Sequence, residues 1–462
     1  MLEIHRSPRT GLCFMRGYLP ATIFHKLDDL CSGYVENYER TEKYQTGEWD
    51  GKFHLFVRTS TGSYRFPVGL MPTVMTALRA YEVGFEVHEP DVTYPTEGFK
   101  WVSDISLRKY QLDALMRLIR SYNGSGVISL PTGAGKTVIA LQYAVARDLR
   151  FLVVVHRKEL LYQWQEEIRA MLGIEATLVG DGNVDFSGRA VVAMVQTLYS
   201  LLRNKELNSI DFPLVFFDEC HTLPAHTAYQ VALKCSAKYR VGLSATPTRE
   251  DKQELKIFAS VGELTSSVSV SDLVDAGYLA KPRFQFLKPA PVSIKKNAPW
   301  ARVYKEGIVA NPYRNAAIVE KAFELLNDGR QVYIHVIQIA HGKYLMNQIP
   351  GSVFVSGSSK DRREQIARFK NGELRCMIST LLKEGVNIPG IDALIYAAGY
   401  KSGVMTIQTI GRCLRVAPGK EDAIIVDFVD SGHRHLSDHT TERKRTYAHV
   451  FGKYFKNELR GK

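Results

Sequence analysis

The stretch VISLPTGAGKTVIALQYAVA, residues 127–146, decides the fold of this chain. It opens with an apolar run that predicts a short buried strand, continues through the turn PTGAGKT, and closes with apolar residues at helical spacing. In such a layout the glycine turn lets backbone N–H groups converge on an anion, and the helix points the positive end of its dipole at the same place. The stretch therefore predicts a phosphate cradle between a strand and a helix.

The side chains of this turn indicate a nucleotide bound together with a metal ion. We expect the Lys136 ammonium to reach the β- and γ-phosphates and the Thr137 hydroxyl to hold Mg²⁺. The phosphates would also contact Thr132, Gly133 and Gly135. The general phosphate-loop pattern begins with glycine where this chain has Leu130, so the motif here is a shorter GxGKT preceded by Pro-Thr.

The composition is that of a globular protein, and its net charge suits a polyanionic partner. The 462 residues predict about three domains, with 45% hydrophobic and 23% charged residues. The net charge is +12, and residues 281–305 hold seven basic side chains and no acidic one, while residues 431–462 hold eight basic and three acidic. Such local excess suits a track for nucleic acid, although a solvated basic surface has the same composition.

The sequence indicates neither a membrane or secretory signal nor a cysteine pattern typical of metal binding or disulfides. No apolar run of about 18 residues occurs, and the start MLEIHRSPRTGLCF has no signal-peptide pattern, so we expect a cytoplasmic protein without a membrane span. The six cysteines are scattered and form no CxxC pair. This argues against a zinc ribbon or a disulfide framework.

Residues 1–95 predict a small α+β domain, with β-forming segments and two helical segments. The stretch EKYQTGEWDGKFHLF within it carries the aromatic residues Trp49, Phe53 and Phe56. We expect most of these rings in the domain core, while Lys43 and Lys52 remain free to contact the phosphates of DNA.

Residues 105–280 alternate strand and helix patterns, which predicts a parallel sheet. The predicted strands are VISL, FLVVVH, AVVAMV, PLVFFD and RVGLSA. These runs are almost wholly apolar, as in strands buried on both faces. Polar residues follow at their carboxyl ends, where ligands of open α/β sheets bind.

A second α/β unit is predicted beyond a connection. Residues 281–311 are basic and rich in proline, which indicates a linker that either contacts DNA or is merely solvated. Residues 312–462 resume the alternation, with the strands VYIHVI, SVFVS, RCMIST, DALIYAA and DAIIVDFV. The last part predicts a basic amphipathic helix that docks through its aromatic face and turns its Lys and Arg outward.

The second chemical landmark is Asp218-Glu219-Cys220-His221, which ends the predicted strand PLVFFD. Two adjacent carboxylates at the end of a buried strand are costly without a cation, which favours a functional role. Asp218 would hold Mg²⁺ beside the phosphates, and Glu219 would polarise the attacking water.

Taken in order, these motifs resemble those of superfamily 2 helicases and translocases over residues 108–415. The resemblance implies an ATP-hydrolysing α/β protein with two RecA-like parallel-sheet lobes in tandem, behind a small N-terminal α+β domain. It implies that Gln111 reads adenine and that Gly385 lines the ATP site. Coupling between nucleotide state and lobe orientation is implied for His221, Ser244 and Thr246. Contacts with the nucleic-acid strand are implied for His156, Arg157, Gln163, Gln196, Thr197, Arg249 and Thr380.

The motif QTIGRCLR corresponds to the arginine motif of this superfamily. On one helix, positions i, i+4 and i+7 share a face, so Gln408, Arg412 and Arg415 are expected to point together at the γ-phosphate from the second lobe. Arginine in that place stabilises the charge of the transition state. The motif GVNIP carries Asn387 where many relatives have an acidic residue, which leaves the role of that position open.

Two further elements resemble particular branches of the superfamily. Arg249-Glu250-Asp251 resembles the RED element of XPB-type helicases, and YQTGEWDGKFHLF followed by FPVGL resembles the front domain of phage UvsW-type recombination helicases. This resemblance implies 3′→5′ movement on branched DNA such as Holliday junctions, D-loops and stalled forks. It also implies contacts mainly with the phosphate backbone, a monomer, and the host cytoplasm if a phage encodes the chain.

Three alternatives remain open from the sequence. An RNA helicase shares all of the ATP motifs. A nucleotide-switched protein that bridges DNA without turnover is disfavoured by Glu219 and the two arginines. The motor part of a restriction or repair nuclease would require a partner subunit, because no nuclease motif is evident in the sequence.

Overall fold

A computed structural model describes residues 1–245, 253–381, 391–401, 403–417 and 419–455. The chain forms two compact units. Unit 1 comprises Met1–Leu130 and Gly135–Ser267, and unit 2 comprises Pro131–Ala134 and Val268–Lys462. The predicted roles of Thr246, Arg249 and Gly385, and the motif residues beside them, fall outside the described residues.

The N-terminal part of unit 1 is a small α+β domain, as expected from its segments. Its strands are β1 (Leu2–Arg6), β2 (Leu12–Arg16), β3 (Ser32–Tyr34), β4 (Lys52–His54), β5 (Val57–Arg58), β6 (Tyr64–Pro67) and β7 (Phe85–His88). Its helices are α1 (Ala21–Leu30), α2 (Glu42–Gln45) and α3 (Met71–Ala80). Five strands form a sheet in the order β5-β6-β2-β1-β7, and β3 and β4 form a separate pair.

This domain lies in the same unit as the parallel sheet and packs against the helix Glu254–Val261 and the residues just before the strand Tyr239–Ser244. The Arg6 guanidinium is buried and donates a hydrogen bond to the Lys238 carbonyl at 3.1 Å. A Cβ atom on Gly69 would lie 2.6 Å from the Ala259 carbonyl oxygen, which shows how closely the two backbones approach. Apolar side chains of both parts share one core, because Ala259 belongs to the cluster built around Ile4 and Phe56.

The larger part of unit 1 is an open sheet covered by helices. Its strands are β8 (Gly126–Ser129), β9 (Phe151–Val155), β10 (Thr177–Gly180), β11 (Asn183–Val184), β12 (Ala190–Met194), β13 (Leu214–Asp218), β14 (Tyr239–Ser244) and β15 (Leu264–Ser267). Its helices are α4 (Lys109–Arg120), α5 (Lys136–Arg147), α6 (Lys158–Leu172), α7 (Val195–Arg203), α8 (His226–Lys234) and α9 (Glu254–Val261). The strand order is β11-β10-β12-β9-β13-β14-β8-β15, and all neighbours except β10 and β11 run parallel. All five strands predicted here are confirmed.

Unit 2 is a second parallel α/β sheet. Its strands are β16 (Lys281–Leu287), β17 (Val332–His335), β18 (Ser352–Val355), β19 (Cys376–Ser379), β20 (Ala393–Tyr396) and β21 (Asp422–Phe428). Its helices are α10 (Val270–Asp275), α11 (Trp300–Tyr304), α12 (Pro312–Asn327), α13 (Ile339–Gln348), α14 (Arg362–Lys370), α15 (Gly403–Cys413) and α16 (Arg434–Phe451). The order is β16-β21-β20-β17-β19-β18. The five strands predicted after residue 312 are confirmed, and both sheets have the predicted parallel α/β class.

The predicted linker 281–311 is wrong at its start, because Lys281–Leu287 forms the edge strand β16 beside β21. Its side chains alternate, with Lys281 and Arg283 exposed and Phe284 buried. An edge position tolerates Pro282, whose missing N–H would break a central strand. The basic residues and prolines of this segment indicate a linker, although its side chains alternate between exposed and buried as in a strand.

The prediction for the C-terminal helix is half correct. Its aromatic face docks as expected, with Tyr447, Phe451 and Phe455 buried around Phe284. However, Arg443 does not face solvent: its side chain is fully buried and paired with Asp427. The helix also begins at Arg434, earlier than its amphipathic pattern indicates.

All six cysteines are unpaired and buried. Burial raises the pKa of the Cys13, Cys31, Cys376 and Cys413 thiols to about 12. Among the described helices, none is long and apolar enough to cross a membrane.

Candidate active site

The phosphate loop lies between the end of β8 and the start of α5. Gly133 (φ 87°) and Gly135 (φ 78°) both adopt left-handed backbone conformations, which residues other than glycine rarely adopt. Helix α5 begins at Lys136, so its free N–H groups lie at the loop. The Lys136 ammonium donates a hydrogen bond to the Leu130 carbonyl at 3.1 Å, which holds it over the loop. Leu130 itself is fully buried, which explains an apolar residue in place of glycine there.

Gln111 packs against this loop from helix α4. Its Oε1 atom accepts a hydrogen bond from the Arg108 N–H at 2.9 Å, which caps the helix and fixes the side chain. A Cβ atom on Gly135 would collide with the Gln111 Nε2 atom. The structure therefore places the predicted adenine-reading residue beside the loop in unit 1.

The acid pair stands at the carboxyl end of β13, next to β14 and β9 in the sheet. The Asp218 Oδ2 atom accepts a hydrogen bond from the Trp164 indole N–H at 2.9 Å, and its Oδ1 atom accepts one from the Glu219 N–H at 3.0 Å. Glu219 has a positive φ of 48°, a conformation that is uncommon outside glycine. Strained backbone of this kind concentrates at functional sites.

The two carboxyl groups have different electrostatic environments. Burial, together with the Glu219 charge, raises the pKa of Asp218 to about 6. Burial also raises the pKa of Glu219, but the His221 hydrogen bond and the Lys136 charge outweigh it and lower that pKa to about 2. A further cation beside Asp218 would remove the cost of holding two adjacent charges.

His221 connects the acid pair to the next strand. Its Nδ1 atom lies 3.2 Å from the Glu219 Oε2 atom and 3.2 Å from the Ser244 hydroxyl. Ser244 is fully buried at the end of β14. The structure thus brings together two of the three residues predicted to couple nucleotide state to lobe orientation.

Only some of the residues predicted to contact the nucleic-acid strand lie close to one another in the structure. The Gln196 amide donates to the His156 carbonyl at 3.1 Å, which ties the start of α7 to the end of β9. Burial and the Arg157 charge lower the pKa of His156 to about 4, so its ring is neutral near pH 7. Gln163 and Thr197 are half-buried on α6 and α7. Thr380 lies just after β19, in unit 2.

The arginine motif differs from the expected single helical face. Gln408 and Arg412 lie on α15, but that helix ends at Cys413. Arg415 lies beyond it and forms an isolated bridge with Leu279. Within unit 2, a Cβ atom on Gly133 would lie 3.1 Å from the Arg415 Cγ atom. The Arg415 side chain therefore lies beside Gly133, and its backbone lies outside helix α15.

The two lysines predicted to contact phosphates from the N-terminal domain differ in their surroundings. Lys43 is exposed, as predicted. The Lys52 ammonium is paired with Asp29 at 3.0 Å and lies over the Tyr34 ring at 5.5 Å, so it already has partners. Among the aromatic residues, Phe56 is fully buried in the core, while Phe53 and Trp49 are half-buried.

Trp164 is the site residue that the sequence reasoning missed. It lies on the buried face of α6 with Leu161 and Ile168, a stripe that looks like ordinary core packing. The available signal was the indole N–H, because a buried tryptophan usually requires a hydrogen-bond acceptor. Here that acceptor is Asp218.

A parallel sheet with a glycine phosphate loop, its lysine and a buried acid pair at the strand ends defines a phosphate-loop nucleotide hydrolase. The family described as "Type III restriction enzyme, res subunit" matches residues 104–249, and "Helicase conserved C-terminal domain" matches residues 317–417. The chain therefore belongs to the superfamily 2 helicases, as an ATP-hydrolysing member.

Individual relatives agree with this assignment. The chain is 27% identical over 413 residues to "DNA 3'-5' translocase XPB2" of Sulfurisphaera tokodaii, covering 80% of this chain and 91% of that protein. It is 22% identical over 466 residues to "ATP-dependent DNA helicase uvsW" of Enterobacteria phage T4, covering 92% and 90%. The solved structure "ATP-dependent Type ISP restriction-modification enzyme LlaBIII bound to DNA" has the same fold over 75% of this chain and 30% of its own, with a TM-score of 0.55 and 16% identity.

Proposed function

We propose that this protein is an ATP-dependent DNA helicase or translocase that moves 3′→5′ and acts on branched DNA, including Holliday junctions, D-loops and stalled forks. One observation carries the proposal. The similarity to the phage protein named an ATP-dependent DNA helicase covers 92% of this chain, so it extends over most of the N-terminal domain, which neither family match reaches. The relative named a DNA 3′-5′ translocase supports the polarity.

The residues at the loop fit ATP with Mg²⁺. Gly133 and Gly135, with their left-handed backbone conformations, leave the N–H groups of the loop open to phosphate. The Lys136 ammonium can give up its hydrogen bond to the Leu130 carbonyl and donate to a phosphate oxygen instead. Thr137 in the first turn of α5 and Asp218 would hold Mg²⁺, which neutralises charge on the β- and γ-phosphates. Glu219, ionised and fixed by His221, would orient the attacking water and accept its proton.

Other site residues would complete the cycle. Gln111 would bind the adenine edge, and Gln408, Arg412 and Arg415 would stabilise the charge of the transferred phosphoryl group. A movement of the Glu219 side chain during hydrolysis would shift His221 and with it Ser244, because the His221 imidazole contacts both residues. That link would couple hydrolysis to movement.

We propose that the protein contacts DNA mainly through the phosphate backbone. Contacts from Arg157, Gln163, Gln196, Thr197 and Thr380 would be independent of sequence. The net charge of +12 supports a polyanion, and binding should weaken steeply as salt rises. Lys43 would add a contact from the N-terminal domain. We propose that the working form is a monomer.

The function is tested by migrating a synthetic four-way junction with ATP, using Lys136→Ala as the matched inactive control. We expect the wild type to convert the junction to two duplexes and the variant to leave it intact, because the variant loses the ammonium that binds the phosphates. ATP hydrolysis is measured in parallel with junction, linear duplex and single-stranded RNA. Stimulation by RNA alone would identify an RNA helicase, and junction binding without any turnover would identify a nucleotide-switched bridging protein. Either result overturns the proposal.

A further prediction concerns Trp164. Trp164→Phe removes the N–H that fixes Asp218 while keeping an aromatic ring in the core. Loss of an outer partner of a metal ligand usually weakens the metal by 10- to 100-fold, so we expect the Mg²⁺ concentration for half-maximal hydrolysis to rise by about that factor. The measurement is a Mg²⁺ titration of ATPase activity.

Tyr162→Phe is the matched control for this titration. It removes a polar group from the exposed side of the same helix, where the Tyr162 hydroxyl contacts Asp181. We expect its Mg²⁺ dependence to equal that of the wild type. An unchanged Mg²⁺ dependence in Trp164→Phe would show that the indole only fills space.

A further inference from the structure

A group of histidine and glutamate side chains lies on the outer face of the N-terminal sheet, outside residues 108–415, which carry the helicase motifs. Strands β1 and β7 pair in parallel, with Glu3 opposite Glu86 and His5 opposite His88. The side chains of β1 alternate, so that Leu2, Ile4 and Arg6 are buried while Glu3 and His5 lie on the other face. The four polar residues therefore form one cross-strand group.

The polar atoms of this group lie within a few ångströms of one another. The His5 Nε2 atom lies 3.3 Å from the Glu3 Oε2 atom, and the His88 Nε2 atom lies 3.9 Å from the Glu86 Oε2 atom. The His5 and His88 rings are stacked, with centroids 4.6 Å apart and planes 13° apart. One ligand atom each from Glu3, His5 and His88 can be chosen so that all lie within 4.8 Å of one another.

We propose that Glu3, His5 and His88 form a binding site for a zinc-type divalent transition metal. Two imidazoles and one carboxylate are a donor set that zinc accepts, with metal–nitrogen and metal–oxygen bonds of about 2.0–2.2 Å. The side chains lie on the solvent-facing side of the sheet, and the stacked rings would turn out of their parallel arrangement so that one nitrogen of each points at the same ion. Glu86 or a water completes a tetrahedron. Carboxylates alone would suit Mg²⁺ or Ca²⁺, but the paired imidazoles select a softer ion.

Electrostatics favour a cation at this place. Glu3 and Glu86 are directly opposite each other, and like charges in such cross-strand pairs destabilise a sheet. Charged side chains also protect edge strands such as β7 from pairing with other chains, but that role does not require two stacked histidines.

A bound metal would hold β7 against β1. Strand β7 is at the sheet edge and precedes the stretch 89–107, which contains no helix or strand before α4. The site would therefore stabilise the end of the N-terminal domain and leave the ATP chemistry untouched. It is independent of the proposed function, since none of its residues belongs to a helicase motif.

The test is titration of the full-length protein with Co²⁺ and Zn²⁺, in buffer containing Mg²⁺ to fill hard-ligand sites. We expect one Co²⁺ per chain with visible absorption of a tetrahedral complex, displacement by Zn²⁺, and a higher Tm with Zn²⁺. His5→Gln and His88→Gln should each weaken Zn²⁺ binding by at least about 10-fold, the usual effect of losing even an outer partner of a ligand. His25→Gln removes an exposed histidine of α1 and should bind the metal as the wild type does.

The controls separate folding from metal binding. Circular dichroism of each variant without metal checks that it is folded, and exposed positions such as these should change Tm little. Absence of a tetrahedral Co²⁺ spectrum in the wild type overturns the proposal, and so does equal Zn²⁺ affinity in His5→Gln, His88→Gln and His25→Gln. In that second case the metal binds elsewhere, and the group only protects the sheet edge.

Discussion

Glu219→Gln is expected to slow ATP hydrolysis by about 100- to 10,000-fold, the range over which a positioned acid–base group contributes, while ATP still binds. Glu219 is half-buried beside the phosphate loop, and the His221 hydrogen bond and the Lys136 charge lower its pKa and keep it ionised. The amide keeps the size of the side chain but cannot accept the proton of the attacking water. Single-turnover hydrolysis, together with binding of a fluorescent ATP analogue, separates the two effects.

The matched control is Glu166→Gln on the exposed side of α6. That variant removes one negative charge from the same unit without touching the loop, and we expect its hydrolysis rate to match the wild type. Unaltered turnover in Glu219→Gln would contradict the assignment of this residue. Loss of both binding and turnover would mean that Glu219 holds the loop together and is not the acid–base group.

The second large effect is expected on stability. Arg443→Met should lower the free energy of unfolding of unit 2 by about 3–5 kcal/mol, because it leaves the buried Asp427 carboxylate without its cation, whereas Asp430 keeps its pair with Arg314. The Arg443 Nε atom lies 2.9 Å from Asp427 Oδ2, and its Nη2 atom lies 3.5 Å from Asp430 Oδ2. The Tyr447 hydroxyl donates to the same Asp427 atom at 2.8 Å. Both members of the Arg443–Asp427 pair are almost wholly buried, so water cannot replace the lost partner.

Denaturant unfolding measures this effect against two controls. Arg445→Met, two positions along the same helix with a side chain 74% exposed, should change the free energy of unfolding by less than about 0.5 kcal/mol. The double variant Arg443→Met with Asp427→Leu should recover part of the loss, because it removes both charges of the pair. Equal effects at Arg443 and Arg445 would contradict the buried network.

The positions of the phosphate loop and the acid pair in the fold were largely predictable because their signals are local. The loop PTGAGKT specifies its own glycine conformations, and the apolar runs specify strands buried on both faces. In a parallel sheet the carboxyl ends of neighbouring strands meet at one edge, so Asp218 on β13 and Ser244 on β14 had to come close. His221, three residues after the strand end, then lies within reach of both.

The wrong predictions fall where contacts with distant parts of the chain determine the local structure. The strand Lys281–Leu287 pairs with β21, more than a hundred residues later, so its own composition indicated only a charged connection. The helical face expected for Arg415 failed because α15 ends at Cys413, where the chain turns to form the bridge with Leu279. Trp164 became a site residue only because β13 delivers Asp218 to its indole.

By itself, the sequence determined the ATP chemistry, the parallel α/β class and the superfamily, because short motifs and apolar periodicity act within a few residues of the chain. The tertiary structure decided which charges are buried in pairs, such as Arg443 with Asp427, and which histidines meet across strands, such as His5 with His88. Charge composition cannot distinguish a solvated arginine from a buried one. That difference depends on the partners supplied by remote segments, and only the folded chain brings these together.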